Sequence, residues 1–316
     1  MSLHNWGDTK LSGWKRNLLI AVAVIVALGG GAYYWLIVES SFPSDARFDL
    51  DISKVRALAH EGGGEKPLSI RVEHVANFHF PATAVVAGDG WSTVDLPVYT
   101  FQLVYPDGIT GIVDTALTEA QGSGNATGFD QDAYNRMEAA IGKARFIVIT
   151  HEHMDHIGGL GAYPDLPSIA SNVKLNEEQI ANPDRSAPVQ IPAEVLASFK
   201  PVIYTDYKAI APGVVLIKSP GHTPGSQMVY VQKADGTELL LLGDVAWHFR
   251  NVETLRERAR LVTQFFLKEN RTQVFGELKA LSDLHAAEPK INIMPGHDGQ
   301  VMEGLLAEGV VTQGFE

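Results

Sequence analysis

Three histidines and an aspartate fall within six positions of the chain, directly after the short apolar segment 146–150. They are His151, His153, Asp155 and His156. Imidazole nitrogens and carboxylate oxygens are the ligands that a borderline divalent ion such as zinc accepts. Because side chains alternate along an extended strand, residues 151 and 153 can point to the same side. The pattern therefore predicts a metal site at the end of a strand.

Three more residues of ligand type occupy the same kind of position. Each follows one of the apolar segments 214–218, 238–242 and 291–294, and they are His222, Asp244 and His297. A histidine-rich surface loop would explain the first group alone, but not three further ligand types at three further strand ends. We therefore expect all seven side chains to meet around metal ions.

These residues resemble the ligand motifs of the metallo-β-lactamase superfamily, over roughly residues 68–300. Its motif His-x-His-x-Asp-His is matched in full by residues 151–156. The resemblance implies an α+β fold, a four-layer αββα sandwich of two sheets between outer helices. It also implies that the first metal ion is held by His151, His153 and His222, the second by Asp155, His156 and His297, and both by a bridging Asp244.

The ligand set narrows this resemblance to part of the superfamily. The best-known zinc β-lactamases use a cysteine at the second metal, and this chain has no cysteine. Another β-lactamase group lacks the bridging aspartate that Asp244 would supply. Flavodiiron-like relatives usually carry a glutamate where His153 stands, which disfavours an oxygen reductase. The set is more similar to those of the glyoxalase II and lactonase branches.

The resemblance implies a hydrolase in which two divalent ions share a water and lower its pKa from about 16 towards about 7. The resulting hydroxide would attack the carbonyl of a lactone, ester or thioester. Asp155 is the candidate catalytic residue, since it would lie beside that water and could carry a proton, and its alternative role is that of a plain ligand. Zinc is the first candidate metal, with iron or manganese as alternatives. β-Lactam hydrolysis and phosphodiester hydrolysis are the alternative reactions.

Composition limits the partners of such a hydrolase. The formal net charge is −12, from 25 basic and 37 acidic side chains. Because binding a phosphate backbone needs basic surface, nucleic acid is not expected as a partner, and a small-molecule substrate is. No motif specifies that substrate or the oligomeric state.

Some residues outside the ligand set have candidate supporting roles. Asp114 follows the apolar segment 109–113, and it could either orient a ligand histidine or cap a turn. Glu152 lies between two ligands but should point to the opposite side of an extended segment. Trp247 and the neighbouring His248 could line the pocket or lie at the surface. The segment 82–96, with Trp91, could cover the cleft.

The segment 17–38 contains no charged side chain. As a helix it would be about 33 Å long at about 1.5 Å per residue, which is enough to cross a hydrocarbon core of about 30 Å. Lys10, Lys15 and Arg16 precede it, so the positive-inside rule predicts a basic cytoplasmic tail over residues 1–16. The catalytic domain would then be periplasmic or extracellular. The alternative is a cleaved signal peptide, which would release a secreted protein.

The rest of the chain divides into a linker over residues 39–66 and a hydrolase domain over residues 67–316. The linker is expected to hold one short helix near residues 51–60. Within the domain, Asp107-Gly108 and Asp235-Gly236 predict hairpin turns. Apolar patterning predicts helices over 131–143, 252–267 and 272–287.

Overall fold

The structure, a computed structural model, describes residues 12–61 and 63–316. In this part of the chain ten strands form two five-stranded sheets, with the orders β10-β1-β2-β3-β4 and β5-β6-β7-β8-β9. The strands are β1 Ser69–Pro81, β2 Thr93–Val104, β3 Thr110–Val113, β4 Phe146–Val148, β5 Tyr207–Ala211, β6 Val214–Lys218, β7 Gln227–Gln232, β8 Glu238–Leu241, β9 Asn292–Met294 and β10 Thr312–Gln313.

Twelve α-helices accompany the sheets in the described residues. They are α1 Gly13–Tyr33, α2 Ile52–His60, α3 Ala82–Val85, α4 Glu119–Gly122, α5 Gln131–Ile141, α6 Met154–Gly161, α7 Leu166–Ile169, α8 Glu177–Ala181, α9 Ala193–Leu196, α10 Phe249–Thr254, α11 Arg271–Ala287 and α12 Gly299–Ala307. Short 3-10 turns cover Pro183–Ser186 and Gly243–Val245, and π-helical turns cover Tyr34–Val38 and Leu261–Phe266.

The two sheets pack face to face with helices on both outer faces. Between the sheets, Leu103 of β2 belongs to the same buried cluster as Leu216 of β6 and Leu239 of β8. On the outer face of the first sheet, α5 packs through residues such as Met137, while α2 and α11 cover the second sheet. Each sheet thus buries both faces, and the predicted four-layer αββα arrangement is confirmed.

Both predicted hairpins are present. β2 pairs antiparallel with β3 across Asp107-Gly108, and β7 pairs antiparallel with β8 across Asp235-Gly236. β4 pairs in parallel with β3, and β9 pairs in parallel with β8. The edge strands β5 and β10 were not predicted, because β5 is only half-buried and β10 has two exposed residues.

The prediction of one helix over residues 252–267 is wrong. α10 ends at Thr254 because Leu255 adopts a left-handed conformation with φ of 51°. The Asn251 side chain donates to the carbonyl of Arg256 at 2.9 Å, which holds the chain in this turn. Helical structure resumes only as the π-helical turn Leu261–Phe266. The apolar pattern indicated burial correctly, but it did not indicate the break.

Much of the predicted linker is folded onto the domain. The expected helix near residues 51–60 is present as α2, and its Val55 and Ala59 are buried against the second sheet. Further upstream, the backbone of Arg47 lies so close to Gly276 of α11 that a Cβ there would meet its carbonyl oxygen at 2.5 Å. Residues 46–60 therefore belong to the packed structure rather than to a free tether.

The N-terminal apolar segment forms one helical element from Gly13 to Val38, made of α1 and the π-helical turn that follows it. Its 26 residues have a mean hydropathy of 2.0 over the most apolar window. No residue of α1 is buried, although Tyr33 at its end contacts Trp91 of the domain. The predicted tail over residues 1–16 lies mostly outside the described residues.

Candidate metal centre

The first four ligand candidates lie where the first sheet ends. β4 stops at Val148, and the chain continues through Thr150 to His151 and His153. His153 directly precedes α6 as its N-cap residue, and the first turn of that helix carries Asp155 and His156. A strand followed at once by a helix start thus places four ligand types within one turn of backbone.

The other three candidates come from the end of the second sheet. His222 follows β6, Asp244 lies in the 3-10 turn after β8, and His297 follows β9. The two sheets meet at this end, because the Gln227 backbone N–H of β7 donates to the Thr150 carbonyl at 2.8 Å. All seven side chains therefore converge on one cleft.

The first group of donor atoms has the spacing of a tetrahedral site. Nδ1 of His153 lies 3.1 Å from Nε2 of His151 and 2.9 Å from Nε2 of His222. Oδ2 of Asp244 lies 3.5 Å from the His151 nitrogen and 3.4 Å from the His222 nitrogen. An ion with bonds of about 2.0 Å places tetrahedral ligands about 3.3 Å apart, so these four atoms fit one ion.

The second group meets the other oxygen of the same carboxylate. Oδ1 of Asp244 lies 3.4 Å from Nε2 of His156 and 3.1 Å from Nε2 of His297. Oδ2 of Asp155 lies 3.7 Å and 3.5 Å from the same two nitrogens. Asp244 thus offers one oxygen to each group, which fits two divalent ions that share a carboxylate.

Two atoms of this cluster are among the buried polar atoms that have no partner in the described residues. They are Nε2 of His156 and Oδ1 of Asp244, which face each other in the second group. Leaving a buried polar atom unpaired costs about 1–3 kcal/mol, so such atoms usually have a ligand. A metal ion between them would satisfy both, and the donor set fits the group that the sequence implied.

The charge states of His151, His153 and Asp244 also suit metal binding. Burial and the neighbouring imidazoles hold the pKa of His151 and that of His153 well below the usual histidine value, so both rings are neutral, the form that binds metal. Burial alone would raise the pKa of Asp244, but the surrounding histidines, with His297 foremost, hold it well below the usual value. Asp244 is therefore a carboxylate.

Asp114 contacts the ring nitrogen of His156 that is not directed at the donor group. Oδ2 of Asp114 lies 2.8 Å from Nδ1 of His156, and Oδ1 accepts from the Thr150 backbone N–H at 2.6 Å. The backbone of Asp114 has a φ of 60°. Residues other than glycine rarely adopt this conformation, because it is energetically unfavourable. Of the two roles considered for Asp114, the contacts match the one that orients a candidate ligand histidine, and the bond to Thr150 also ties Asp114 to the end of the first sheet.

His222 is held in the same way by Glu269, a residue that sequence reasoning missed. Oε1 of Glu269 lies 2.5 Å from Nδ1 of His222 and also accepts from the buried Arg258 guanidinium. Glu269 follows no apolar strand and lies in no motif, so no local signal identified it. It leaves Nε2 of His222 directed at the first group.

Backbone and indole groups orient His297 and Asp244, two further candidate ligands. Nδ1 of His297 lies 2.9 Å from the Pro97 carbonyl, and the Trp247 indole N–H donates to Oδ2 of Asp244 at 2.7 Å. Gly296 permits this arrangement, because a Cβ there would meet Oδ1 of Asp244 at 2.4 Å. Trp247 therefore lines the cluster, whereas Nδ1 of His248 lies 3.3 Å from Asp298 outside it.

Glu152 and Trp91 lie away from the donor atoms. The Glu152 carboxylate accepts from the Gly225 backbone N–H at 3.0 Å and from the Thr223 hydroxyl, so it points to the opposite side as expected. Trp91 contacts the apolar helix instead of the cleft, since its indole N–H donates to the Tyr33 hydroxyl at 3.2 Å.

A sequence profile of the metallo-beta-lactamase superfamily matches residues 103–297, which hold all seven ligand candidates. The chain belongs to the metallo-beta-lactamase superfamily. Its two-sheet fold and its paired histidine and aspartate groups are those that the motif in residues 151–156 had implied.

Members of the superfamily with related sequences include lactonases. An N-acyl homoserine lactonase of Bacillus thuringiensis is 30% identical over 108 residues, which are 34% of this chain and 41% of the relative. A probable metallo-hydrolase of Mycobacterium tuberculosis is 29% identical over 180 residues, 49% of this chain and 54% of the relative. The chain thus matches about half or less of the length of these relatives.

Solved structures share the fold over more of the chain. An N-acyl homoserine lactone hydrolase, with N-hexanoyl-L-homoserine bound at its catalytic metal centre, has a TM-score of 0.60 at 17% identity, covering 76% of this chain and 96% of that one. The dizinc quorum-quenching lactonase AidC has a TM-score of 0.51 at 14% identity, covering 75% and 91%. At these identities the likeness establishes the fold.

Glu269→Gln should weaken metal binding at the first group, because an amide cannot supply the negative charge that makes the His222 ring a stronger donor. Loss of such a supporting carboxylate typically costs about 10–100-fold in metal affinity. Titration against a chelating dye would measure this. The exposed substitution Glu303→Gln serves as the control. Equal affinities for the wild type and Glu269→Gln would contradict the role assigned to Glu269.

Glu277 should make the stability of the domain sensitive to pH. It is buried on α11, and its Oε1 accepts from the Gly221 backbone N–H at 3.0 Å while its Oε2 has no partner among the described residues. Burial raises the pKa of Glu277 from 4.5 to about 8. The pKa of Glu277 is therefore higher in the folded state than in the unfolded state, so the protonated carboxyl favours folding. This contribution to the free energy of unfolding is complete below pH 4.5 and is lost as pH rises through about 8.

Glu277→Gln should remove this dependence, since an amide keeps the bond to Gly221 and does not ionise. Between pH 6 and pH 9 the wild-type melting temperature should fall more steeply than that of the variant. Thermal melts at saturating metal measure the difference, with Glu303→Gln following the wild-type curve. Parallel curves for the wild type and Glu277→Gln would exclude Glu277 as the cause.

Proposed function

We propose that this protein is a two-metal hydrolase that opens lactones, or cleaves related esters and thioesters, and that its apolar helix anchors it in a membrane. The observation that carries the hydrolase proposal is the division of the Asp244 carboxylate between two donor groups, one oxygen to each. Such a carboxylate suits a pair of similar ions rather than one ion and a vacant set of ligands.

Zinc is the proposed metal, because nitrogen and oxygen donors at tetrahedral spacing are its common ligands. His151, His153 and His222 would hold the first ion, and Asp155, His156 and His297 the second. Bound ions of this kind supply hydroxide at neutral pH and polarise a substrate carbonyl.

The protein side of the mechanism depends on Asp155. It keeps partial exposure, with 14% of its side chain accessible against 3% for Asp244, so it faces the open side of the cleft where substrate would arrive. Asp155 could accept the proton of the attacking water and return it to the departing oxygen, so that the hydroxyl bonds to the carbonyl carbon, the single bond from that carbon to the departing oxygen breaks, and the departing oxygen leaves as a hydroxyl group. Asp114 and Glu269 meanwhile hold His156 and His222 in fixed orientations.

Lactones are the preferred substrate class on two grounds. The sequence relatives and the structures of similar fold include N-acyl homoserine lactonases. The ligand set also lacks the cysteine of common zinc β-lactamases, since the chain contains none. The net charge of −12 continues to disfavour nucleic acid as a phosphodiester substrate.

A substrate panel tests the hydrolase proposal. The full-length protein, purified in detergent with two equivalents of zinc, should turn over N-acyl homoserine lactones faster than nitrocefin or bis-p-nitrophenyl phosphate. Asp155→Asn should lower kcat for the lactone by at least about 100-fold, because positioned proton transfer contributes that much. Turnover confined to nitrocefin or the phosphodiester would replace lactone opening with that reaction.

Glu152→Gln is a matched control for Asp155→Asn. Glu152 lies in the same motif, but its carboxylate accepts from Thr223 and Gly225 away from the donor atoms. Glutamine can make both bonds, so lactone turnover should stay within a few-fold of the wild type. A loss as large as that of Asp155→Asn would mean that any carboxylate in the motif is needed for folding.

The membrane proposal rests on the exposed faces of α1. An apolar helix with no buried residue is unfavourable in water and long enough to cross a bilayer. Lys15 and Arg16 near its start favour a cytoplasmic N-terminus, with the domain on the outer side. A cleaved signal sequence is the competing account.

Protease treatment of intact spheroplasts tests this topology. The protein would carry a tag at each end. Without protease, the C-terminal tag should be found in the membrane fraction. Added protease should digest the C-terminal tag and leave the N-terminal tag intact. Protection of the C-terminal tag would reverse the orientation. Recovery of a soluble, shortened protein would establish cleavage instead of anchoring.

A further inference from the structure

Large apolar side chains are exposed on the domain close to the end of the apolar helix. Phe265 and Phe266 of the π-helical turn are 59% and 74% exposed, and Trp91 is 62% exposed. Tyr33 and Trp35, at the end of the helix, are also exposed. We call these five residues the apolar collar.

The domain contacts the helix end at two places. Trp91 lies with its ring centroid 6.4 Å from that of Tyr33. The Arg260 guanidinium lies 4.9 Å from the centroid of the Trp35 ring, and Arg260 directly precedes the turn that carries Phe265 and Phe266. The exposed aromatic residues of the domain thus adjoin the end of the helix.

Hydrogen bonds and ion pairs also attach the helix end to the domain. The Ile37 carbonyl accepts from the Gly88 backbone N–H at 3.0 Å, and the Val38 carbonyl accepts from Arg256 at 2.5 Å. Glu39 is paired with Arg260 and, at 3.1 Å, with Arg271. These bonds fix the position of the collar relative to the helix.

We propose that the apolar collar is a second membrane-contacting surface, which inserts Phe265 and Phe266 into the lipid interface beside the anchor. The proposal rests on the membrane anchoring proposed above. Lipid is the expected contact of the collar, because the lipid that surrounds the apolar helix would also reach the exposed residues that adjoin its end. Exposed aromatic side chains with a neighbouring cation, here Lys268, are typical of the headgroup region.

This surface also lies beside the metal centre. The Glu269 backbone N–H donates to the carbonyl of Thr263 at 2.8 Å, and Thr263 lies in the π-helical turn that carries Phe265 and Phe266. The side chain of Glu269 in turn contacts His222. Insertion of the collar would therefore keep the catalytic cleft near the lipid surface.

Single labelling sites provide a direct test, because the chain has no native cysteine. Phe266→Cys, Val26→Cys and Ile203→Cys would each carry an environment-sensitive fluorophore in the full-length protein, reconstituted in phosphatidylcholine–phosphatidylglycerol nanodiscs. Val26 reports on the helix, and Ile203 is a similarly exposed residue outside the collar. Phe265→Cys is a second collar site should the first variant fold poorly.

We expect a lipid-attached doxyl quencher to reduce emission at positions 26 and 266 by at least about twofold and to leave position 203 unchanged. Quenching at 26 but not at 266 would overturn the collar proposal and leave anchoring intact. Quenching at neither position would overturn both. A label at 266 protected from aqueous iodide but not reached by the lipid quencher would overturn it in favour of contact with a second copy of the chain.

Discussion

The Asp244 carboxylate is the feature on which the rest of the site depends. Its two oxygens face separate pairs of histidines, so the orientation of one side chain decides whether two donor groups or one can form. Trp247 holds one oxygen, and the absence of a side chain at Gly296 leaves room for the other. The backbone before it is equally constrained, since Gly243 has a φ of 52° and a Cβ there would meet Thr150 at 2.8 Å.

This arrangement needs both sheets to end at the same level. Thr150, at the end of the first sheet, accepts from Gln227 of the second, and its own N–H and hydroxyl are held by Asp114. The cleft is thus built on two strand ends bonded to each other, and not on loops that could move separately. Because the supporting partners are buried, the donor atoms are held in place before any ion binds.

The sequence predicted that the seven candidate ligands would lie together, because each is tied to a local pattern, an apolar strand that ends in a histidine or an aspartate. The supporting groups were harder. Asp114 shares that pattern and was found, whereas Glu269 and Arg258 act through burial at a distance in sequence, which no local pattern encodes. The same limit explains the wrong helix over residues 252–267. Its apolar spacing was real, but the break at Leu255 depends on contacts of Asn251, one with the nearby Arg256 and one with Val85, which is far away in sequence.

The attachment of the apolar helix bears on how such a protein would search for substrate. Glu39 is ion-paired to the domain immediately after the helix ends, and the chain beyond it packs on the second sheet, so no free hinge separates the two. A domain joined in this way to a membrane helix would keep one height and one tilt. Its encounters would then be those of diffusion in two dimensions, favouring amphiphiles that are themselves concentrated in the bilayer over solutes dispersed in bulk water.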